Sequence, residues 1–201
     1  QKVGADGILS VTPYYNKPMQ EGLYQHYKAL ATAVDIPVML YNVPGRTGVD
    51  LEASTVIRLF DDVENIYAIK EATGSLERAT SLLSQRKDIC VVSGDDGIDF
   101  AMMANGGSGI ISVTANLLPN LKSKLVHSAM EGDFDTAREI HNKLYNLNNS
   151  LFVESNPIPI KAIMYLAGLI DTLEYRLPLT APSTDTMKLL EKILEQYEVI
   201  K

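Results

Sequence analysis

Lys70 is the residue whose type and position could best do chemistry. It lies in the apolar run Ile66–Ala72, where strand alternation would place Ile66, Ala68, Lys70 and Ala72 on one face. The two alanines leave room for a long side chain. Burial favours the neutral amine, and a neutral amine is the nucleophile that attacks a ketone. The alternative is a lysine whose ammonium reaches solvent at the strand's end, and the pattern alone does not choose between them.

Tyr41 and Arg46 follow the apolar run that precedes this strand. If the two strands are neighbours, the backbones of Tyr41 and Lys70 are about 5 Å apart. A phenol there can pass protons while an amine adds to a ketone and water leaves. The alternative for Tyr41 is a core tyrosine with a satisfied hydroxyl. Arg46 lies in a Pro-Gly turn and could bind a carboxylate through two hydrogen bonds, although its spacing alone favours an ordinary surface arginine.

Other polar clusters give weaker signals. Tyr14 and Tyr15 stand beside a proline, which is typical of packing or interface positions. The segment Gly94–Gly97 has no EF-hand spacing after it, and Asp96 would serve as a cap for the helix that follows. The three histidines lie on separate predicted helices without ligand spacing. We therefore expect no bound metal.

Five nearly continuous apolar runs predict the strands that position these groups. They are Gly7–Thr12, Val38–Val43, Ile66–Ala72, Ile89–Asp95 and Gly109–Thr114. Such runs are typical of parallel strands covered on both faces. Helical patterns at Gly22–Val34, Leu51–Phe60 (with Asp50 as its N-cap), Thr73–Gln85 and Asp96–Ala104 separate the strands. Further helices are predicted from Pro119 to near Gly132, from Asp133 to Leu147, at Ile160–Gly168 and at Thr184–Tyr197.

Repeated βα units leave two α/β architectures, the doubly wound sheet and the (β/α)8 barrel. Polar residues occur at the carboxyl end of strand after strand, which favours the barrel. A doubly wound fold would usually carry a Gly-rich phosphate loop after its first strand, and the sequence has none there. We expect residues 1–132 to belong to the barrel and residues 133–201 to form a helical extension.

Composition excludes several classes of partner. The 201 residues are 46% hydrophobic and 21% charged, with a net charge of −7 and a pI near 5.0. This charge argues against a nucleic acid or an anionic membrane as the main partner. No apolar run is long enough to span a membrane, and no signal peptide is visible. The single cysteine, Cys90, lies in an apolar run, which favours an inert thiol and a cytoplasmic location.

Six motifs together resemble the dihydrodipicolinate synthase family, in the family's order and along essentially the whole chain. They are Tyr41–Gly48, Ile69–Gly74, Val11–Asn16, Ser93–Asp96, Gly109–Asn116 and Asn156–Lys161. The resemblance implies a (β/α)8 barrel with C-terminal helices. It also implies a lyase that condenses pyruvate with aspartate-4-semialdehyde to 4-hydroxy-tetrahydrodipicolinate, in lysine and diaminopimelate biosynthesis. No cofactor is implied beyond the covalent imine that Lys70 forms with pyruvate.

The resemblance also implies roles for the other residues. Tyr41 would relay protons, and Arg46 would bind the carboxylate of the semialdehyde. The arginine distinguishes this branch from the related N-acetylneuraminate lyases. Backbone groups at Gly94 and Ile111 would line the pyruvate pocket. Tyr15 would reach across a dimer interface to complete the partner's proton relay, and the family suggests a homotetramer built as a dimer of dimers.

The chain departs from the family pattern before Gly7. The family has three further strands there, including a Gly-x-x-Gly-Glu segment and a Thr-Thr pair that joins the proton relay. We therefore expect the chain to supply the last five βα units, strands 4 to 8, with full activity in doubt. Two alternatives stay open. One is a related aldolase or dehydratase that joins pyruvate to a sugar-derived aldehyde, and the other is a non-catalytic chain that associates with itself or a partner.

Overall fold

The computed structural model describes residues 1–197. The chain has two compact units, Gln1–Ile111 and a second that begins at Ser112. The first unit contains five strands with intervening helices, and the second is helical. The fold class is α/β, as the sequence predicts. The expected boundary between barrel and extension at residue 132 stays a prediction.

The strands form one parallel sheet. They are β1 (Ile8–Val11), β2 (Val38–Asn42), β3 (Ile66–Glu71), β4 (Cys90–Ser93) and β5 (Gly109–Ile110). Their spatial order is β1-β2-β3-β4-β5, so every step goes in the same direction. A doubly wound sheet reverses direction at a switch point, whereas a barrel does not. The topology is therefore that of a barrel.

The fifth strand is shorter than predicted. Its predicted range extended to Thr114, but pairing ends at Ile110. The hydroxyl of Ser112 accepts a hydrogen bond from the N–H of Ala115 at 2.9 Å, and Thr114–Asn116 form a 3-10 turn. A local side-chain bond to the backbone thus replaces the strand ladder at this point.

The helices keep the predicted order with shifted ends. In the first unit they are α1 (Gln20–Thr32), α2 (Pro44–Thr47), α3 (Ala53–Asp62), α4 (Leu76–Gln85) and α5 (Asp99–Ala104). In the second they are α6 (Pro119–Met130), α7 (Phe134–Ser150), α8 (Ile158–Leu166) and α9 (Thr184–Leu194).

Two predicted N-caps are wrong. Helix α3 begins after Glu52 and α5 begins after Ile98, so neither Asp50 nor Asp96 is an N-cap. The cap predicted at Asp133 is confirmed, because its carboxylate accepts a hydrogen bond from the N–H of Thr136 at 3.0 Å.

One face of the sheet carries the apolar core of the first unit. Strand residues such as Leu40, Ile69 and Val91 pack there with residues of α1, α3, α4 and α5. Ile66 also lies in this core, so its predicted place on the face of Lys70 is wrong. The cause is a shift in register, because Val38 pairs with Ile66 while Met39 pairs with Ala68, which leaves Tyr67 as an extra residue. We call this side of the sheet the helix-covered face.

The opposite side carries Lys70, and we call it the Lys70 face. In register with Lys70 are Val11 of β1, Tyr41 of β2 and Val92 of β4. Leu9 lies on the same face and is 48% exposed. Among the described residues, β1 and β5 each pair with a neighbour on one side only.

The second unit has a core of its own. It is built mainly from leucines, isoleucines and alanines of α6, α7, α8 and α9, together with Leu117, which follows the 3-10 turn that precedes α6. None of the helices within residues 1–197 has the length and hydropathy needed to cross a membrane.

Candidate active site

Lys70 and Tyr41 are brought together as the sequence predicts. They are register partners on β3 and β2, near the carboxyl ends of both strands. The Nζ atom of Lys70 lies over the Tyr41 ring, 4.4 Å from the ring centroid. An amine and a phenol at this spacing can exchange protons through a reacting group or one water molecule.

The surroundings of Lys70 favour the uncharged amine. Burial lowers the pKa of Lys70, the carboxylate of Asp96 raises it, and the guanidinium of Arg46 lowers it further. Space for the side chain comes from Gly94, where a Cβ would lie 2.7 Å from Cε of Lys70 and 2.8 Å from Cβ of Ala72. No other residue type fits this position without moving the lysine.

Tyr41 is held from its backbone. Both the N–H and the hydroxyl of Thr12 donate to the carbonyl of Tyr41, at 3.0 and 2.9 Å. The buried Tyr27 hydroxyl lies 3.3 Å from the Thr12 hydroxyl, and burial raises the pKa of Tyr27 to about 12. Burial also raises the pKa of Tyr41, and Arg46 partly opposes this. Tyr41 is therefore a protonated phenol at neutral pH that can donate a proton.

Arg46 lies on α2, a single helical turn in place of the predicted Pro-Gly turn. Its side chain is exposed, and its charge acts on both Tyr41 and Lys70. Gly48 ends this turn in the left-handed region, with φ of 71°. An exposed guanidinium at the edge of the amine–phenol pair can bind an anionic group of a molecule that enters the site.

The N–H groups of Gly94 and Ile111 are both used within the sheet. The N–H of Gly94 donates to the carbonyl of Glu71 at 2.8 Å, and that of Ile111 donates to the carbonyl of Ser93 at 2.8 Å. Because these donors are used by the sheet, a bound molecule would meet the carbonyl oxygens. The predicted role of both residues as pocket lining stays a prediction.

Tyr15 is exposed to solvent in this chain. Its side chain is 92% exposed, on the loop after β1, and its φ of 64° is unusual for a non-glycine residue. The predicted role in a partner's site stays a prediction.

Sequence reasoning missed several polar residues around the pair. Asp96 was interpreted as a helix cap, yet it is buried and its charge acts on Lys70. Asn42 and Glu71 are fully buried on the opposite side of the strands. A usable signal existed, because each follows a candidate catalytic residue at the end of an apolar strand. Among residues 1–197, no group of three or more His, Cys, Asp or Glu side chains is arranged to hold a metal ion.

The fold and this site define a β/α-barrel protein with a candidate amine nucleophile at the carboxyl end of its strands. Comparison with known proteins agrees with this class of protein and also identifies the family. The sequence profile of the dihydrodipicolinate synthetase family matches residues 1–197. The chain therefore belongs to this family.

Individual relatives are similar over nearly the whole chain. The 4-hydroxy-tetrahydrodipicolinate synthase of Aliarcobacter butzleri is 74% identical over 201 residues, which are 100% of this chain and 68% of the relative. The crystal structure of dihydrodipicolinate synthase from Aquifex aeolicus has a TM-score of 0.96 at 44% identity and covers 98% of this chain and 68% of its own. The chloride-inhibited enzyme from Acinetobacter baumannii, solved with pyruvate, has a TM-score of 0.95 at 48% identity, with coverages of 99% and 68%.

The five-stranded sheet thus corresponds to part of a (β/α)8 barrel, as the sequence predicts.

Proposed function

We propose that this protein is a lyase that condenses pyruvate with aspartate-4-semialdehyde to 4-hydroxy-tetrahydrodipicolinate, a step of lysine and diaminopimelate biosynthesis. The observation that carries the proposal is the half-buried Lys70 amine, with a lowered pKa, 4.4 Å from the centre of the Tyr41 ring. Relatives named for this activity, at up to 74% identity, support it.

The chemistry begins with Lys70 as nucleophile. Its nitrogen lone pair forms a bond to the ketone carbon of pyruvate, the carbonyl oxygen takes a proton from the Tyr41 phenol, and the phenolate recovers a proton from the added nitrogen. The second nitrogen proton leaves with the new hydroxyl group as water, which leaves the neutral imine. The imine then accepts the electron pair left when the pyruvate methyl group loses a proton, which gives an enamine. The enamine carbon forms the new C–C bond to the aldehyde carbon, whose oxygen takes up the proton that the methyl group lost and becomes a hydroxyl. The amino group of the former semialdehyde then adds to the imine carbon and closes the ring, its two protons pass to the Lys70 nitrogen, and the bond from that carbon to Lys70 breaks, which frees the amine.

Binding groups surround this step. Arg46 binds the carboxylate of the semialdehyde at the edge of the site. It is an exposed cation whose charge lowers the pKa of both Tyr41 and Lys70, so it lies close enough to hold an anionic group beside them. Carbonyl oxygens of Gly94 and Ile111 line the pyruvate pocket. Tyr15, which is exposed, reaches a second copy of the chain in a homotetramer, and the protein works in the cytoplasm.

The test is reductive trapping. The chain is incubated with pyruvate and borohydride, and its peptides are weighed by mass spectrometry. We expect one reduced pyruvate on Lys70 and none in Lys70→Arg, whose guanidinium is protonated and cannot add to a ketone. Trapping of surface lysines with Lys70 unmodified would contradict the proposal. Turnover with aspartate-4-semialdehyde, compared with sugar-derived aldehydes, separates this activity from that of sibling aldolases.

A second candidate is a non-catalytic chain that assembles with itself or a partner. The observation in its favour is that β1 and β5 each pair on one side only among the described residues, and that Leu9 and Val11 are exposed. Sedimentation velocity tests it. Higher-order assembly without any Lys70 adduct would favour this candidate, whereas a monodisperse species that traps pyruvate would exclude it.

A further inference from the structure

Four polar side chains form a closed hydrogen-bonded ring on the helix-covered face of the sheet, behind the amine–phenol pair. They are Asn42, Asp50, Glu71 and Arg78, and we call them the polar ring. Asn42 and Glu71 are register partners, each one residue beyond Tyr41 and Lys70. Because side chains alternate along a strand, the polar ring lies on the side opposite the amine.

Each member of the polar ring binds two others. Arg78 donates from Nε to Glu71 Oε2 at 3.2 Å and from Nη1 to Asp50 Oδ2 at 3.1 Å. Asn42 Nδ2 donates to Asp50 Oδ1 at 2.7 Å and to Glu71 Oε2 at 3.4 Å. The N–H of Thr73 donates to the remaining Glu71 oxygen at 3.0 Å. The ring thus joins the ends of β2 and β3 to the first turn of α4.

Three members of the polar ring are buried or nearly buried, whereas the Asp50 side chain is 46% exposed. Asn42 and Glu71 are both 0% exposed, and the Arg78 side chain is 11% exposed. Burial raises the pKa of Glu71, while Arg78, followed by Thr73 and Asn42, works against that rise. A buried group that loses its partner pays a large desolvation cost, so the side chains have few alternative positions.

We propose that the polar ring positions Lys70 against Tyr41, with Glu71 and Asn42 as positioning residues that act through the adjoining peptide groups. The backbone ladder between the two strands ends at this level, where the N–H of Ala72 donates to the carbonyl of Asn42 at 3.0 Å. Beyond it, the polar ring holds the strand ends together. The inference rests on the proposed function, because the positioned amine is the proposed nucleophile.

The first measurement needs no substrate. Lysines are labelled with acetic anhydride over a range of pH, and the Lys70 peptide is quantified by mass spectrometry. In the unaltered chain we expect Lys70 to titrate below the ordinary pKa of a lysine. In Glu71→Gln, we expect its apparent pKa to move towards the ordinary value, since a displaced amine loses its burial. The charges that act on Lys70, those of Asp96 and Arg46, are kept in this variant.

The second measurement is the rate of pyruvate trapping. Glu71→Gln keeps the side-chain size but replaces one acceptor oxygen with an NH2 group, which must then face a donor, either Arg78 and Asn42 or the N–H of Thr73, so the hydrogen bonds that hold this residue are weakened. We expect the rate constant for imine formation to fall about tenfold or more, because a small misplacement of reacting atoms is costly, while the half-saturating pyruvate concentration changes little. Arg78→Lys keeps the positive charge but loses the planar guanidinium that binds the carboxylates of Glu71 and Asp50 through separate nitrogens. Its rate of imine formation should therefore lie between that of the unaltered chain and that of Glu71→Gln.

Matched controls separate positioning from loss of fold. The double variant Glu71→Gln/Arg78→Met removes both charges together, and Glu21→Gln/Arg58→Met removes an exposed ion pair of α1 and α3 whose atoms are 2.6 Å apart. Thermal unfolding followed by circular dichroism identifies a temperature at which all variants are folded, and trapping is measured at that temperature. There we expect the first double variant to trap pyruvate slowly and the second to match the unaltered chain.

The outcomes distinguish the inference from the proposed function. If Lys70 of the unaltered chain forms no adduct but its labelling profile shifts in Glu71→Gln, the proposed function is wrong and the positioning stands. If the adduct forms and Glu71→Gln labels and traps like the unaltered chain, the positioning inference is wrong. An equal loss in the Glu21→Gln/Arg58→Met control would also overturn it.

Discussion

Lys70 and Glu71 are consecutive residues of β3 that lie in contrasting environments on the two faces of the sheet. Lys70 is half-buried on the Lys70 face, where its amine lies over an aromatic ring and its side chain passes beside Gly94. Glu71 is fully buried on the helix-covered face, where three residues donate hydrogen bonds to its carboxylate. The same contrast separates Tyr41 from Asn42 on β2.

The two faces of one strand thus have different functions, one presenting the amine and the other anchoring the strand. A nucleophile needs open space on one side and a lone pair that is available to a substrate. A residue that anchors the strand needs many hydrogen bonds and complete burial. Alternation of side chains lets adjoining residues meet these opposite requirements. Substitutions confined to one face at a time test this division of roles.

The largest effect is expected at Gly94, next to the amine. In Gly94→Ala the new Cβ would lie 2.7 Å from Cε of Lys70, so the side chain must move. We expect pyruvate trapping to fall by about 100-fold, the order of loss known for small misplacements of reacting groups. Gly45→Ala is the matched control, because a Cβ there meets nothing within 4 Å. Near-normal trapping in Gly94→Ala would show that the Lys70 face is looser than described.

A stability effect of comparable free energy should distinguish the two faces through leucines on neighbouring strands. Leu40 is 0% exposed in the helix-covered core, and Leu9 is 48% exposed on the Lys70 face. We expect Leu40→Ala to lower the free energy of unfolding by about 3 kcal/mol through lost burial and a cavity. Leu9→Ala should cost about 1 kcal/mol or less. Urea unfolding measures both, and equal losses would mean that the Lys70 face is covered in solution.

The smallest effect is a shift in the pH dependence of the amine. Asp96→Asn removes the anion that raises the pKa of Lys70, so amine labelling should begin at lower pH. Arg46→Gln removes a cation that lowers the same pKa, so labelling should begin at higher pH. Shifts in the same direction would show that these charges do not act on the Lys70 face.

Much of this arrangement follows from local sequence. The continuous apolar runs predict the strands, and Lys70 between two alanines predicts an amine with room around it. Tyr41 could be placed beside it because parallel strands of successive βα units are neighbours. Ile66 could not be assigned to the correct face, since alternation along one strand does not reveal where the partner strand shifts register.

The helix caps show the same limit. Asp50 and Asp96 have the residue type and position of N-caps, yet Asp50 binds Asn42 and Arg78, and Asp96 is buried where its charge acts on Lys70. Their carboxylates are used by residues distant in the sequence, and such competition is decided only when the chain is packed.

By itself, then, the sequence determined the strands and helices, the barrel class, and the candidate amine with its phenol. These depend on alternation, apolar runs and short-range spacing, which are local properties of the chain. Only the tertiary structure decided that Gly94 must lack a side chain, that Asp96 acts on Lys70, and that four polar residues close a ring behind the site. These depend on distances between strands and loops, which exist only once the chain is folded.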